Sequence, residues 1–250
     1  MAWRLVLLLC LAALPGRAEE VVLGLSRDKV AITANFDGSN ILVFGAVKRE
    51  TAIPEMPLEV VVAIAGPSRP ATVRRKERRF GIWVNTEAVE VDAAPSFYAV
   101  ATSGPLEDVL SRVEDLRHRI TIPKAIRSVG TGVLDAENFT DALIRIRMRE
   151  GAYQMLEGGV ALDEQTLFRT SIDLPANLTE GDYATRIFLT RGGQVVSEYE
   201  TVIDVRKVGL ERWLFVLSRE QPLLYGLMSL AIAIAAGWGA SAVFQLLRRG

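Results

Sequence analysis

The stretch Leu-Glu-Val-Val-Val-Ala-Ile-Ala, residues 58–65, is almost continuously apolar and rich in β-branched side chains. A strand with one solvated face alternates between apolar and polar residues, whereas a strand covered on both faces reads as an unbroken apolar run. Gly66 and Pro67 follow directly and are typical of a turn. We therefore expect residues 58–65 to form a strand that is covered on both faces.

Shorter β-rich runs surround this strand, at residues 21–25, 29–35, 40–48, 71–76, 80–91 and 96–101. Asp37-Gly38, between the second and third of these strands, indicates a tight hairpin because glycine tolerates the positive φ that such a reversal needs. Six or seven short strands separated by turn signals are typical of a β-sandwich. We expect residues 19–102 to form a first β-sandwich domain.

The hydrophobic period then changes from that of strands to that of a helix. Pro105 suits a first helical turn, and apolar residues follow at the i, i+3, i+4 spacing, namely Leu106, Val109, Leu110, Val113 and Leu116. A second helix is expected over residues 136–156, although arginines alternate there with apolar residues, which also fits a strand. Residues 103–157 are therefore expected to form a helical connecting region.

Strands resume after Gly158-Gly159, at residues 166–174, 181–190 and 194–205, and are expected to form a meander. The segment from Leu178 to Tyr183 resembles the tyrosine corner of immunoglobulin-like domains, in which the tyrosine hydroxyl bonds back to the backbone. Thr185 stands where such domains carry a cysteine. The sequence thus predicts a second, smaller, immunoglobulin-like β-domain over residues 158–208.

Residues 223–247, LLYGLMSLAIAIAAGWGASAVFQLL, contain no charged side chain. As a helix they would span roughly 37 Å, which is enough to cross a hydrocarbon core of about 30 Å. We expect a transmembrane helix over residues 222–247. Arg248 and Arg249 favour a cytoplasmic location for the remaining tail, residues 248–250.

The segment before this helix, residues 209–221, has an amphipathic pattern. Leu210, Trp213, Leu214 and Leu217 share the spacing of one helical face. A short helix at the membrane surface, with Trp213 as an interfacial anchor, fits this pattern. The alternative is that these residues are the first turns of one long membrane helix, but Pro222 favours a bend.

The N-terminus predicts a secretory signal over residues 1–18. Arg4 precedes a ten-residue apolar stretch, and small residues lead up to Ala18. An uncleaved anchor is the alternative. With the C-terminal helix, a cleaved signal gives type I topology: a single-pass protein of the bacterial inner membrane with a periplasmic ectodomain and a cytoplasmic C-terminus.

The composition is consistent with a bacterial periplasmic location and excludes some classes of function. The only cysteine, Cys10, lies in the predicted signal, so the mature chain would have no disulfide, as is natural in a bacterial protein. Between the two termini, acidic residues outnumber basic ones by five, which argues against general nucleic-acid binding. We therefore expect a lipid bilayer, and no nucleic acid, among the partners.

Groups that could carry catalysis are few. The only histidine, His118, lies between Arg117 and Arg119, which makes it a poor general base unless a carboxylate offsets their charge. No spacing of cysteines or histidines suggests a metal site. We therefore expect no enzyme, no cofactor and no metal; a deep pocket with His118 and a carboxylate would reverse that expectation.

One basic run stands out in the acidic ectodomain. It consists of Arg74, Arg75, Lys76, Arg78 and Arg79, interrupted by Glu77 and followed by an apolar stretch with Trp83. This patch could bind an anion, a phospholipid headgroup or an acidic partner. The alternative is a solvated hairpin or edge strand protected by charge. Trp83 could be an exposed anchor, but a tryptophan in a strand more often belongs to the core.

Small residues also recur along one side of the transmembrane helix, at Ser229, Ala233, Gly237 and Ser241, and Ala236 and Ala240 broaden this stripe. In lipid, such a stripe allows two helix backbones to approach closely, which suggests a helix-docking face. The alternative is the ordinary abundance of small residues in membrane helices.

Several strings resemble one known family. They are NFDG (35–38), VFGAV (43–47), AGP (65–67), RKER (75–78), GIWVN (81–85), PSFYAV (95–100), RKVG (206–209) and QPLLYG (221–226). They resemble the alphaproteobacterial putative transmembrane protein family over nearly the whole mature chain. The resemblance implies an exported bacterial protein with one C-terminal membrane helix, and it transfers no catalytic residue. It also implies a transporter partner, since genes for sulfite-exporter-like permeases are associated with the family.

The leading hypothesis is a membrane-anchored periplasmic accessory protein that docks on an integral-membrane partner such as a transporter. It rests on the small-residue stripe, the basic patch and the scarcity of catalytic groups. A periplasmic ligand-binding module for an anion held at residues 74–79 is the alternative. An enzyme of unknown type is the third.

Overall fold

The computed structural model describes residues 19–26, 29–32, 38–49, 53–127, 136–207 and 210–249. The predicted signal, residues 1–18, and the predicted turn residue Asp37 lie outside the described residues. The chain divides into two compact units, one of residues 1–30 and 37–205 and the other of residues 31–36 and 206–250. The first is rich in strands, and the second contains the C-terminal helices.

Twelve strands are described. They are β1 (Glu19–Leu25), β2 (Lys29–Ile32), β3 (Ser39–Arg49), β4 (Glu59–Ala65), β5 (Ser68–Arg79), β6 (Ile82–Pro95), β7 (Tyr98–Thr102), β8 (Tyr153–Leu156), β9 (Val160–Asp163), β10 (Leu167–Leu174), β11 (Gly181–Arg191) and β12 (Gln194–Lys207). They form a four-stranded sheet in the order β1-β3-β10-β9, a six-stranded sheet in the order β2-β12-β11-β4-β7-β8, and a separate ribbon of β5 and β6. The prediction of a mainly β, sandwich-like fold with a C-terminal apolar helix is confirmed.

Strand β4 is covered on both faces, as its sequence predicts. The five residues from Val60 to Ile64 are all buried, and β4 pairs with β11 on one side and β7 on the other. By contrast, β10 alternates between exposed and buried positions along its whole length, which is the pattern of a strand with one solvated face. The six-stranded sheet is therefore the central layer of this unit.

Four helices are described between β7 and β8, and all but the second contribute apolar side chains to the core on one face of that central layer. They are α1 (Leu106–Val109), α2 (Arg112–His118), α3 (Ile122–Ala125) and α4 (Ala136–Arg149). Phe139 and Leu143 of α4 are buried in one apolar cluster with Val61 and Val100 of the sheet. At α2, the Ser111 side chain accepts a hydrogen bond from the Glu114 amide and so caps the first turn.

The prediction of two separate β-domains is wrong. Strand β3 pairs with β10, and β4 pairs with β11, so both sheets combine strands from residues 19–102 with strands from residues 158–207. These ranges belong to one compact unit, apart from the few residues at their ends. Hydrophobic periodicity identifies a strand but not its partner, and these partners are more than 100 residues apart.

Two further connections differ from the predictions for the same reason. The two strands predicted to form a hairpin around Asp37-Gly38 do not pair with each other, because β2 lies in the six-stranded sheet and β3 in the four-stranded sheet. The expected meander is only half correct. Strands β11 and β12 form its hairpin around Gly192 and Gly193, which both have positive φ, but β10 belongs to the other sheet.

Both predicted helices are shorter than expected. The first is interrupted at Leu110, and Val113 and Leu116 beyond the break are 64% and 61% exposed, so the apolar stripe is not buried along its length. The second ends at Arg149, and Gly151, with φ of +71°, leads into β8. Strand β8 pairs in parallel with β7.

The second unit contains two helices, α5 (Leu210–Glu220) and α6 (Pro222–Arg249). The boundary at Pro222 agrees with the predicted bend, since proline has no N–H to continue the hydrogen-bond ladder of the preceding helix. The Gln221 amide still bonds to Leu217 O at 3.0 Å. Within the described residues, α6 is the helix long and apolar enough to cross a membrane, over Pro222–Ser241.

Candidate interaction surfaces

The basic run lies on the β5–β6 ribbon, a hairpin whose outer half extends into solvent. Every residue from Lys76 to Ala88 is exposed except Val84, which is half-buried. At the inner end, Val73 and Val89 are cross-strand partners, and both are buried in the apolar cluster. We name residues 74–88 the arm.

Arg75 holds the base of the arm against the helical layer. Its guanidinium lies 3.1 Å from Glu87 on the neighbouring strand and 4.7 Å from the ring centroid of Phe139 on α4. A guanidinium above an aromatic face is attracted by the partial negative charge that the ring quadrupole places on that face. Arg75 therefore stabilises the fold, and it is the residue of the predicted patch that is least available to a ligand.

The remaining cations are divided between the two faces of the ribbon. Because side chains alternate along a strand, Arg74, Lys76 and Arg78 share one face, whereas Arg79 points to the other and pairs with Glu77 at 3.2 Å. Among the described residues, none forms an ion pair or side-chain hydrogen bond with Arg74, Lys76 or Arg78. We name these three residues the cationic face.

The tip of the arm is a two-residue turn, Phe80-Gly81, closed by the pair Arg79 and Ile82. Both turn residues have positive φ, +51° and +88°, which is the pattern of a type I′ turn. Asparagine followed by glycine is the usual sequence in such turns, and phenylalanine with positive φ is unusual. Nothing lies within 4 Å of a Cβ built on Gly81, so the turn is surrounded by solvent.

Three large apolar side chains are exposed at this tip. Phe80 is fully exposed, and Ile82 and Trp83 are 64% and 68% exposed. Of the two alternatives for Trp83, the exposed position is the one observed and the core position is not, because the arm extends past the layer that would cover it. Phe80 and Gly81 were predicted as the start of a strand and not as a turn; the glycine between a charged run and an apolar run is the signal that could have revealed the turn.

His118 has two carboxylate neighbours, neither of which was predicted from the sequence. Its Nε2 lies 3.3 Å from Glu114 Oε2, and its Nδ1 lies 3.2 Å from Oε2 of Glu198 on β12. The ring also meets Phe188 edge-on at 5.5 Å between centroids, and Arg186 donates to the His118 carbonyl at 2.7 Å. These contacts join α2 to strands β11 and β12.

Two surface depressions are described near the helical layer. A groove of about 520 Å³ is lined by Ile144, Met148 and neighbouring residues of α3 and α4, and one of about 370 Å³ lies between α1 and α2. His118 lines neither. Within the described part of the chain, no group of three or more histidine, cysteine, aspartate or glutamate side chains could hold a metal ion.

Three buried tyrosines contribute to the fold through their hydroxyls. Tyr98 donates to Ile120 O and Tyr153 donates to Pro95 O, both at 2.8 Å. Burial raises the pKa of Tyr98, and it raises the pKa of Tyr153 to about 12. Tyr183 donates to Thr179 O at 2.8 Å, which is the contact predicted for the tyrosine corner. The assignment to the immunoglobulin-like type stays a prediction.

Helix α6 has a small-residue side and a large-residue side. At 3.6 residues per turn, Ser229, Ala233, Ala236 and Ala240 lie on one side of the helix. Leu227 and Trp238, which are 65% and 78% exposed, lie on the opposite side. Gly237 lies at the margin of the small side, and a Cβ built on it meets no atom within 4 Å. Ser241, predicted on the same stripe, lies closer around the helix to Leu227 than to Ser229. In α5, the predicted anchor Trp213 is 52% exposed.

The family described as "Putative transmembrane protein (Alph_Pro_TM)" matches residues 20–246. The chain belongs to this family. It is thus a member of a transmembrane family with a β-rich fold and one C-terminal helix that could span a membrane. This match confirms the family predicted from the sequence strings.

The comparison with solved structures is less informative. Spo0M, a sporulation control protein from Bacillus subtilis, is similar with a TM-score of 0.28 and 10% sequence identity, over 80% of this chain and 55% of that one. The chain thus spans about half the length of Spo0M, and the likeness carries no functional inference. No curated protein matches the chain.

Proposed function

We propose that this protein is a non-enzymatic accessory protein of the bacterial inner membrane. In this proposal α6 docks on an integral-membrane partner such as a transporter, and the β-rich unit stands on the periplasmic side. A sulfite-exporter-like permease is the class of partner that the family resemblance favours. The proposal assigns His118 a structural role, in accord with its contacts to Glu114, Glu198 and Phe188.

The observation that carries the proposal is the unequal division of α6. Apolar side chains gain nothing from one another in lipid, where tails are equally apolar, so helix association depends on close packing. The side with Ser229, Ala233 and Ala236 permits such packing, whereas the side with Leu227 and Trp238 suits lipid tails. A helix that only anchors a domain needs no such difference.

The test places a photo-crosslinking amino acid on each side of α6 in the full chain, in native membranes. Positions 233 and 240 report on the small side, and positions 227 and 238 report on the large side. We expect one stoichiometric adduct with an integral-membrane protein from the small side only. Equal adducts from both sides, or adducts only between copies of this chain, would refute the proposal.

A pair of matched variants separates docking from insertion. Ala233→Leu with Gly237→Leu fills the small side, whereas Ala231→Leu with Ala235→Leu adds the same kind of bulk at the same spacing on the opposite side. We expect the first pair to abolish the adduct and the second to leave it unchanged, while both variants remain membrane-integrated. Equal effects of the two pairs would contradict a specific docking face.

A further inference from the structure

We propose that the arm binds the surface of an anionic phospholipid bilayer. Phe80, Ile82 and Trp83 enter the headgroup region, and the cationic face contacts lipid phosphates. This inference is independent of a partner for α6, because it concerns residues 74–88 alone.

The turn at the tip of the arm has an unfavourable first residue. A type I′ turn is most readily formed by asparagine and glycine, yet Phe80 occupies its first position with φ of +51°. Phe80 makes no compensating contact with the fold, since its side chain is fully exposed. A phenylalanine at this position has a strained backbone and a ring exposed to water. Its presence is explained if the ring inserts into lipid.

The tip is surrounded by positive charge. Five cations and two carboxylates lie in the arm, which is therefore basic in an ectodomain with an acidic excess. The two carboxylates, Glu77 and Glu87, pair with Arg79 and Arg75, and these pairs leave the cationic face available to an external anion. Basic residues close to an anionic membrane surface are attracted to it, within a distance that salt shortens.

Trp83 lies on the same face of the ribbon as Arg78, a residue of the cationic face. The two residues are cross-strand partners, so both side chains project from this face. Tryptophan favours the boundary between hydrocarbon and headgroups, and cations beside it reach phosphate oxygens. The same residues at the end of a narrow ribbon form no enclosure for a small free anion.

The membrane association of the chain favours a bilayer as the binding partner of the arm. The protein belongs to a transmembrane family, and α6 is long and apolar enough to span a membrane. The exposed part of β5 beyond Arg75 is four residues long, or roughly 13 Å at the rise of a strand. A projection of this length carries the tip clear of its own base, as contact with a planar surface requires.

The test uses the full chain in lipid nanodiscs, with Trp83 as the probe. Trp3→Phe, Trp213→Phe and Trp238→Phe leave Trp83 as the single tryptophan. Its emission is recorded in discs of phosphatidylcholine alone and in discs that contain phosphatidylglycerol, each with and without brominated acyl chains. We expect a blue shift and bromine quenching in the anionic discs, reversal of both by high salt, and neither change in neutral discs.

Charge variants supply the matched control. Arg74→Ser, Lys76→Ser and Arg78→Ser together should abolish the quenching in anionic discs. Arg112→Ser, Lys124→Ser and Arg149→Ser remove the same charge from exposed positions outside the arm and should leave it unchanged. An equal loss in both variants would overturn the proposal, because it would show an effect of net charge rather than of the arm.

The other possible occupants give distinct results, and each would overturn the proposal. A change of Trp83 emission on addition of inorganic phosphate in neutral discs would indicate a free-anion site. Shielding of Trp83 that requires a second copy of the chain in the disc, or a co-purifying protein, would indicate a protein interface. Emission typical of full solvent exposure in anionic discs would show that the arm does not reach the lipid.

Discussion

Arg78 and Trp83 face each other across the two strands of the arm, and both side chains are exposed. Neighbouring strands lie about 4.8 Å apart, so a cation and an indole project from adjacent positions on one face of the ribbon. This pairing distinguishes the arm from an edge strand that is merely protected by charge. Charge alone would suffice to prevent edge pairing, whereas an exposed tryptophan would favour it.

Replacement of Phe80 by asparagine should stabilise the β-rich unit. Asparagine adopts positive φ more readily than phenylalanine, and relief of the turn should raise the free energy of unfolding by about 1 kcal/mol. The measurement is the midpoint of the β-sheet circular-dichroism transition of the full chain in nanodiscs. The same substitution should abolish bromine quenching of Trp83 in anionic discs, so stability and lipid contact would change in opposite directions.

Phe80→Ala is the control for that substitution. Alanine removes the aromatic ring but does not share the preference of asparagine for positive φ, so it should lose lipid contact without the gain in stability. If Phe80→Asn lowers the unfolding midpoint, the ring stabilises the turn through contacts within the arm, and the strain argument is wrong.

Arg75 and Phe139 should be energetically coupled, because the guanidinium lies above the ring and connects the arm to α4. A double-mutant cycle with Arg75→Gln and Phe139→Leu should give a coupling free energy of about 0.5–1 kcal/mol, as expected for a cation above an aromatic face. Urea unfolding measures the four free energies.

Arg74 provides the comparison for this cycle. It precedes Arg75 in the sequence but points to the exposed face, and no described residue forms an ion pair with it. Arg74→Gln combined with Phe139→Leu should therefore show no coupling. Equal coupling for both arginines would show that the effect of residue 75 is not specific to its contact with the ring.

The sequence predicts burial better than it predicts partnership. Burial on both faces of β4 can be predicted because five consecutive apolar residues place apolar side chains on both faces of the strand. The tyrosine corner at Tyr183 is equally predictable, since its hydrogen bond to Thr179 is local. The pairing of β3 with β10 cannot be predicted in this way, because the apolar pattern of each strand shows which face is buried and not which strand lies beside it.

The candidate surfaces show the same limit. The basic composition of the arm was visible as five cations in six residues, but the commitment of Arg75 to Glu87 and Phe139 depends on α4, which lies more than 60 residues later. Glu198 approaches His118 from β12 for a similar reason. The exposure of Trp83 requires knowing where the sheet ends, which periodicity does not specify.

Gly45 is expected to tolerate no side chain. A Cβ built there would lie 2.5 Å from the Phe168 ring and 2.8 Å from the backbone oxygen of Val22, so neighbouring strands would have to move. Gly45→Ala should therefore lower the free energy of unfolding by about 1–3 kcal/mol, the usual cost of overpacking. Urea unfolding of the full chain measures this difference.

Gly104 offers a matched position for the same substitution. A Cβ there would meet Val109 Cγ2 at 3.5 Å, an ordinary contact, and the residue does not have positive φ. Gly104→Ala should be neutral or should stabilise the fold by up to about 1 kcal/mol, because alanine restricts the unfolded chain. A similar loss at both positions would mean that β3 and β10 are not packed as described.

Tyr153 should make stability depend on alkaline pH. Its pKa is raised by burial from 10.0 to about 12, so the unfolded chain releases the phenolic proton before the folded chain does. The resulting stabilisation of the folded state is complete below pH 10 and is lost as the pH rises toward 12. Two pKa units correspond to at most about 2.7 kcal/mol.

Tyr153→Phe isolates this contribution from those of the other buried tyrosines. At neutral pH the variant loses the hydrogen bond to Pro95 O and should be about 1 kcal/mol less stable than the unmodified chain. The difference should shrink between pH 10 and 12 and then reverse, because phenylalanine has no proton to lose. Parallel pH profiles for the two proteins would show that Tyr153 ionises without opposing the fold, and would contradict its assignment as a buried hydroxyl bonded to Pro95.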